Sequence, residues 1–134
     1  MKLLLTGASG FIGEAVISKL MRDGHELVLV SRFPSKLEKK YGPLHTYYFW
    51  DALSGPPDKE LFEGVSGIIN LMGEGVASKR WTKAQKQKIS ESRVKGTKNL
   101  IDGAKKYAKQ LEVVVSASAI GYYDHFQEGE LNES

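Results

Sequence analysis

Thr6-Gly7-Ala8-Ser9-Gly10-Phe11-Ile12-Gly13 is the stretch on which the reading of this chain turns. It closes an apolar run over residues 2–6 and spaces its glycines G-x-x-G-x-x-G. It also opens a segment over residues 11–22 in which Ile12, Ala15, Val16 and Leu20 fall at helical spacing. A strand that runs through glycines into a helix must turn sharply. Gly7 suits that turn, Gly10 lets backbone come close to a phosphate, and Gly13 lets the helix pack against the sheet. The N–H groups that open a helix have no partners within it and sit at the positive end of its dipole, so they suit an anion. The same glycines would also serve a plain strand-to-helix turn with no ligand.

Outward from this stretch the pattern repeats. Gly24 ends the first helix, and residues 26–31 (Leu27, Val28, Leu29, Val30) read as a second buried strand. A short polar helix over 34–40, an aromatic strand over 46–50 and the loop Ser54-Gly55-Pro56-Pro57 come next. A helical piece surrounds Leu61-Phe62, and a fourth strand covers 67–72. A long helix over 82–108 places Ile89, Arg93, Gly96, Thr97, Leu100 and Ala104 on one side, and a fifth strand covers 112–116. The remainder, 123–134, reads as an acidic loop. Continuous Val/Ile/Leu runs alternating with helices predict a parallel sheet covered on both faces. The expectation is one α/β domain over 1–134, a three-layer Rossmann fold with strand order 3-2-1-4-5. Tyr47-Tyr48-Phe49-Trp50 reads as strand core rather than as a stacking platform.

Composition excludes several alternatives. The chain has 134 residues, 41% hydrophobic and 26% charged, with a formal charge of +3. No apolar run approaches the roughly 20 residues that cross a bilayer, and the apolar start stops at Thr6-Gly7, unlike a secretory signal. With no cysteine, and with His25, His45 and His125 far apart, no metal is expected. The default compartment is the cytoplasm. The lysines gathered between Lys79 and Lys109 alternate with acids and apolar residues, so they read as a solvated helix face, not a nucleic-acid patch. Neither a G-x-x-x-x-G-K-[ST] loop nor a G-x-S-x-G elbow occurs.

The end of the second strand bears on the cofactor. A site for NAD places an acid there, about 20 residues past the glycines, to hold the ribose 2′-hydroxyl. This chain has Ser31-Arg32, with Lys36 near. The guanidinium fork of Arg32 fits a 2′-phosphate and the Ser31 hydroxyl adds a donor, so the expected cofactor is NADP(H), with NAD the less favoured.

The glycine stretch resembles the opening of the extended short-chain dehydrogenase/reductase superfamily. Val30-Ser31-Arg32, Asn70-Leu71-Met72-Gly73-Glu74, Lys79-Arg80-Trp81-Thr82, Ser92-Arg93-Val94 and residues 116–123 narrow the match. Together they resemble the NAD-dependent epimerase/dehydratase-like family, whose bacterial members are labelled nucleoside-diphosphate-sugar epimerases or cell-division inhibitors. The resemblance implies that Gly7, Gly10, Phe11, Ile12 and Gly13 contact the pyrophosphate. Ser31 and Arg32 would hold the adenosine phosphate, Asp51 the adenine, and Leu71 and Met72 would run along the cofactor. Ser118 matches the active-site serine that hydrogen-bonds a substrate oxygen. The partners implied are the dinucleotide and a sugar-nucleotide or other small substrate.

Two departures qualify this. Arg93 stands in Arg93-Val94-Lys95-Gly96-Thr97 where the superfamily often has asparagine; it could reach the cofactor, and its helical spacing points it inward, where it needs an acceptor. The superfamily's Tyr-x-x-x-Lys pair, in which lysine lowers the tyrosine pKa, is absent: none of the six tyrosines has lysine four places on. The chain therefore reads as the N-terminal portion of a longer protein, with the substrate lobe beyond it and an exposed sheet edge open to dimerisation. By itself it is expected to be inactive. Two functions stay open: the cofactor-binding part of an oxidoreductase or epimerase, or a non-catalytic dinucleotide sensor.

Overall fold

A computed structural model describes residues 1–77 and 79–118. The strands are β1 (Lys2–Thr6), β2 (Glu26–Ser31), β3 (Thr46–Phe49), β4 (Gly67–Asn70) and β5 (Val113–Ser116). The helices are α1 (Phe11–Arg22), α2 (Pro34–Tyr41) and α3 (Lys83–Tyr107), with a 3₁₀ turn at Lys59–Phe62. All pairings are parallel and the sheet order is β3-β2-β1-β4-β5, as expected. Register is set through the centre, with Leu4 opposite both Val28 and Ile68.

Alternation along the strands makes the three layers. Leu4, Val28, Val30 and Ile68 face Leu100 and Ala104 of α3 and Leu61 and Phe62 of the 3₁₀ turn. Leu3, Leu5, Leu27 and Leu29 face Ile17 of α1 and Leu37 of α2. Successive residues of β1 thus bury into opposite cores, which is why its sequence is continuously apolar. Each leucine so enclosed contributes about 2 kcal/mol of transfer free energy. Pro34 opens α2 at a position where no N–H is needed, and the Thr82 side chain accepts from Gln85 N (3.2 Å) to cap α3.

Three expectations are corrected. The fourth strand ends at Asn70, two residues before Met72, because the Asn70 side chain accepts from Thr6 Oγ1 (2.7 Å) and Met72 N (3.4 Å) and turns the chain out of the ladder. The aromatic strand is not buried on both faces: β3 is an edge strand, Trp50 is enclosed, and Phe49 is 67% exposed. The inner face of α3 changes character along its length. It buries Gly96, Asn99, Leu100, Gly103 and Ala104 at one end, but at the other it buries Gln85, while Arg93 is exposed. At the opposite sheet edge the three valines of β5 are 41–53% exposed. No helix among the described residues is long and apolar enough to cross a membrane.

Candidate functional site

The chain leaves β1 toward β2 and β3 and later returns to β4 on the other side of β1, so the loops after β1 and β4 part at the carboxyl end of the sheet. Such a switch point opens a crevice. A cleft of about 540 Å³ lies there, walled by the loop after β1, residues 30–33, residues 50–53, the segment after β4 and the first turns of α3.

The glycine loop forms its floor. Gly7 has φ +73°, and a Cβ there would lie 2.5 Å from the Leu71 carbonyl oxygen, so the position takes glycine on two counts. Gly13 lies under the loop: a Cβ on it would run into the Gly7 carbonyl oxygen and sit 3.1 Å from Ala8 Cα. Its role is to let the helix approach the loop, more than the sheet. Gly10 donates its N–H to Gly7 O (3.0 Å) and opens α1 with no side-chain cap. The first helical bond, Glu14 N to Gly10 O (3.0 Å), leaves the N–H groups of Phe11, Ile12 and Gly13 without intrahelical partners. A Cβ on Gly10 would meet nothing nearer than Gly7 O at 3.4 Å. The space beside this helix start is therefore open and lined by donors, which fits a pyrophosphate. The side chains of Phe11 and Ile12 are 94% and 61% exposed, so any contribution they make at the loop is through backbone.

The other expected residues divide. Gly7, Ser31, Arg32, Asp51 and Met72 line the cleft. The Ser31 hydroxyl accepts from Phe33 N (3.0 Å) and keeps its proton to donate. Arg32 is exposed and makes no hydrogen bond or ion pair among the described residues. Lys36 does not join it: its ammonium lies over the Phe33 ring, 4.9 Å from the centroid. Asp51 uses Oδ1 to accept from Leu53 N (3.1 Å), a turn-capping role that leaves Oδ2 unengaged among the described residues. Leu71 packs its backbone beneath Gly7 and donates its N–H to Thr6 O (3.3 Å). Arg93 is not enclosed as its spacing predicts; its Nη1 donates to Glu74 O (3.1 Å) and Ile89 O (3.2 Å), clamping the segment after β4 to α3. Ser118 is exposed just past β5 and is not part of the cleft wall. Residues 119–134, with Tyr122, Tyr123, His125 and the acidic loop, lie outside the described residues.

Glu74, Lys79 and Lys88 also line the cleft, and sequence reasoning gave them no role. The two lysines lay inside a run read as a solvated face. The available signal was Gln85, Lys88 and Ser92 at i, i+3 and i+7, a polar stripe where an apolar one would be expected. Glu74 Oε1 accepts from Gln85 Nε2 (3.3 Å) and lies 3.6 Å from Lys79 Nζ. The Gln85 hydrogen bond, aided by Lys79 and by Arg32 and opposed by partial burial, holds this carboxyl below the ordinary glutamate range. Among the described residues no group of three or more His, Cys, Asp or Glu could hold a metal.

A doubly wound sheet with a glycine-lined helix start at its switch point defines a nucleotide-binding Rossmann domain. Residues 3–134 match the NAD dependent epimerase/dehydratase family, and the chain belongs to that family. It is 32% identical to the epimerase family protein YfhF of Bacillus subtilis (strain 168) over 92% of this chain and 39% of that protein. Similarity extends to a human structure, epimerase family protein SDR39U1 (isoform2) with NADPH: TM-score 0.71, 30% identity, 92% of this chain and 38% of that one. The structure of MoeE5 in complex with UDP-glucose and NAD matches with TM-score 0.71 and 25% identity over 99% of this chain and 41% of that one. The chain thus spans about two fifths of these relatives' length.

Proposed function

We infer that this domain binds NADP(H) in preference to NAD(H), as the cofactor-binding part of an oxidoreductase or epimerase. The observation that carries the preference is Arg32, an unpaired guanidinium at the end of β2 where an NAD site has an acid. The human relative with NADPH supports this reading, while MoeE5 with NAD marks the other possibility within the fold. The backbone N–H groups of residues 11–13 would hold the pyrophosphate and Ser31 and Arg32 the 2′-phosphate. Asp51 and Met72 would flank the adenine and the rest of the cofactor, with Leu71 supporting the loop. A bound nicotinamide supplies hydride transfer. Ser118 would hydrogen-bond a substrate oxygen, and a sugar nucleotide is the proposed substrate class, by analogy with the UDP-glucose held by MoeE5. The cytoplasm is the proposed compartment, on the strength of a cysteine-free sequence.

Arg32→Asp tests the preference. The variant should lose NADPH affinity about tenfold or more, through loss of a charge-assisted pair and the added like-charge repulsion, while NADH binding holds or improves. Equal effects on both cofactors, measured by calorimetry, would remove Arg32 from the site.

A further inference from the structure

Glu74 is, with Asp51, one of two carboxylates in a cleft whose other charged side chains are cationic. The same walls carry Arg32, Lys79 and Lys88 and adjoin the open start of α1. Yet Glu74 is held there by four contacts. Its N–H donates to Ser92 Oγ (2.9 Å), its carbonyl accepts from Arg93 Nη1 (3.1 Å), and Oε1 accepts from Gln85 Nε2 (3.3 Å) and faces Lys79 Nζ at 3.6 Å. Gln85 is buried and Ser92 Oγ donates onward to Ile89 O (3.0 Å), so the residue is anchored in α3. The Gln85 hydrogen bond and the nearest approach of Lys79 both fall on Oε1, and Oε2 accepts no hydrogen bond among the described residues.

An ionised carboxylate repels phosphate and accepts from hydroxyl. We propose that Glu74 is a specificity residue whose Oε2 accepts a hydrogen bond from a ribose hydroxyl of the dinucleotide bound in this cleft, with Gln85 and Ser92 as positioning residues. The proposal rests on the dinucleotide reading above. Two hydroxyl sources share this chemistry: the 3′-hydroxyl of the adenosine ribose and the diol of the nicotinamide ribose.

The test is Glu74→Gln beside the unaltered chain, titrated by calorimetry with NADPH and with 2′,5′-ADP, and with the melting temperature of both proteins measured. Glutamine keeps the shape and removes the charge. NADPH affinity should fall about tenfold, the scale of one hydrogen bond to a charged group. A fall for both ligands assigns the adenosine hydroxyl; a fall for NADPH alone assigns the nicotinamide ribose. Unchanged affinity would mean that Glu74 only fastens its loop to α3, and tighter binding that it only repels; each overturns the proposal. Should Glu74→Gln melt far below the unaltered chain, Glu74→Asp keeps the charge but shortens its reach, and the same outcomes apply. If the unaltered chain fails to bind NADPH, the dinucleotide reading falls and takes this proposal with it. If it binds and the variant binds equally, this proposal alone falls.

Discussion

At Gly13 a single added methyl group would run into the Gly7 carbonyl oxygen, while at Gly10 it would meet that oxygen at 3.4 Å and nothing else within 4 Å. The two glycines therefore separate folding from binding. Gly13→Ala must push the loop and helix apart, and overpacking of this kind costs about 1–3 kcal/mol. Gly10→Ala should leave the melting temperature within a degree or two but put a methyl where a phosphate oxygen would approach. The expected result is that Gly13→Ala loses both stability and NADPH binding, whereas Gly10→Ala loses binding alone. Thermal melts paired with titrations check this, and equal stability loss in the two variants would contradict the geometry. Arg32 and Glu74 belong to the same scale: each is a charged group in the cleft wall with hydrogen-bonding capacity that no described residue uses.

Between elements, Asn70 does most of the joining at the carboxyl end of the sheet. From the end of β4 its amide reaches Thr6 of β1 (2.7 Å), Thr97 of α3 (3.1 Å) and Ser116 of β5 (3.1 Å). It is 3% exposed and Thr6 is 2% exposed, so truncation leaves the Thr6 hydroxyl buried without its acceptor and removes the bonds to Thr97 and Ser116. Asn70→Ala should cost about 2–3 kcal/mol in urea unfolding; a cost under about 0.5 kcal/mol would show that the network is not coupled. This residue also marks where the sequence could be read and where it could not. The strands β1 and β2 and helix α1 were legible to the residue, because continuous apolar runs, glycine stops and helical spacing are local signals. The end of β4 was not, because Asn70 turns the chain through contacts with Thr6, 64 positions away, and with Met72. The inner face of α3 was half legible. Leu100 and Ala104 follow the apolar rule, but Gln85 is buried through its bond to Glu74, and polar periodicity has no rule of its own. Phe49 was misjudged because its aromatic run was read as buried core from local composition, although the expected strand order already put β3 at the sheet edge.

For the whole molecule, the site is a product of topology. The reversal of strand order about β1 separates the loops after β1 and β4, and the space between them gathers the glycine loop, Ser31, Arg32, Asp51, Met72 and Glu74 from four stretches of chain. The glycine loop and Arg32 could be placed beforehand because each follows a strand end at the carboxyl edge of the sheet; Glu74, Lys79 and Lys88 could not, because only the fold brings the segment after β4 and the first turns of α3 together over the cleft. Membership of the NAD dependent epimerase/dehydratase family makes a dinucleotide the expected occupant. The phosphate preference is the central claim, and its most direct test is calorimetric titration of the unaltered chain with NADPH and NADH in parallel at low salt. The account predicts NADPH binding at least tenfold tighter than NADH, with the gap narrowing as salt screens Arg32. Equal binding, or tighter NADH binding, would contradict it.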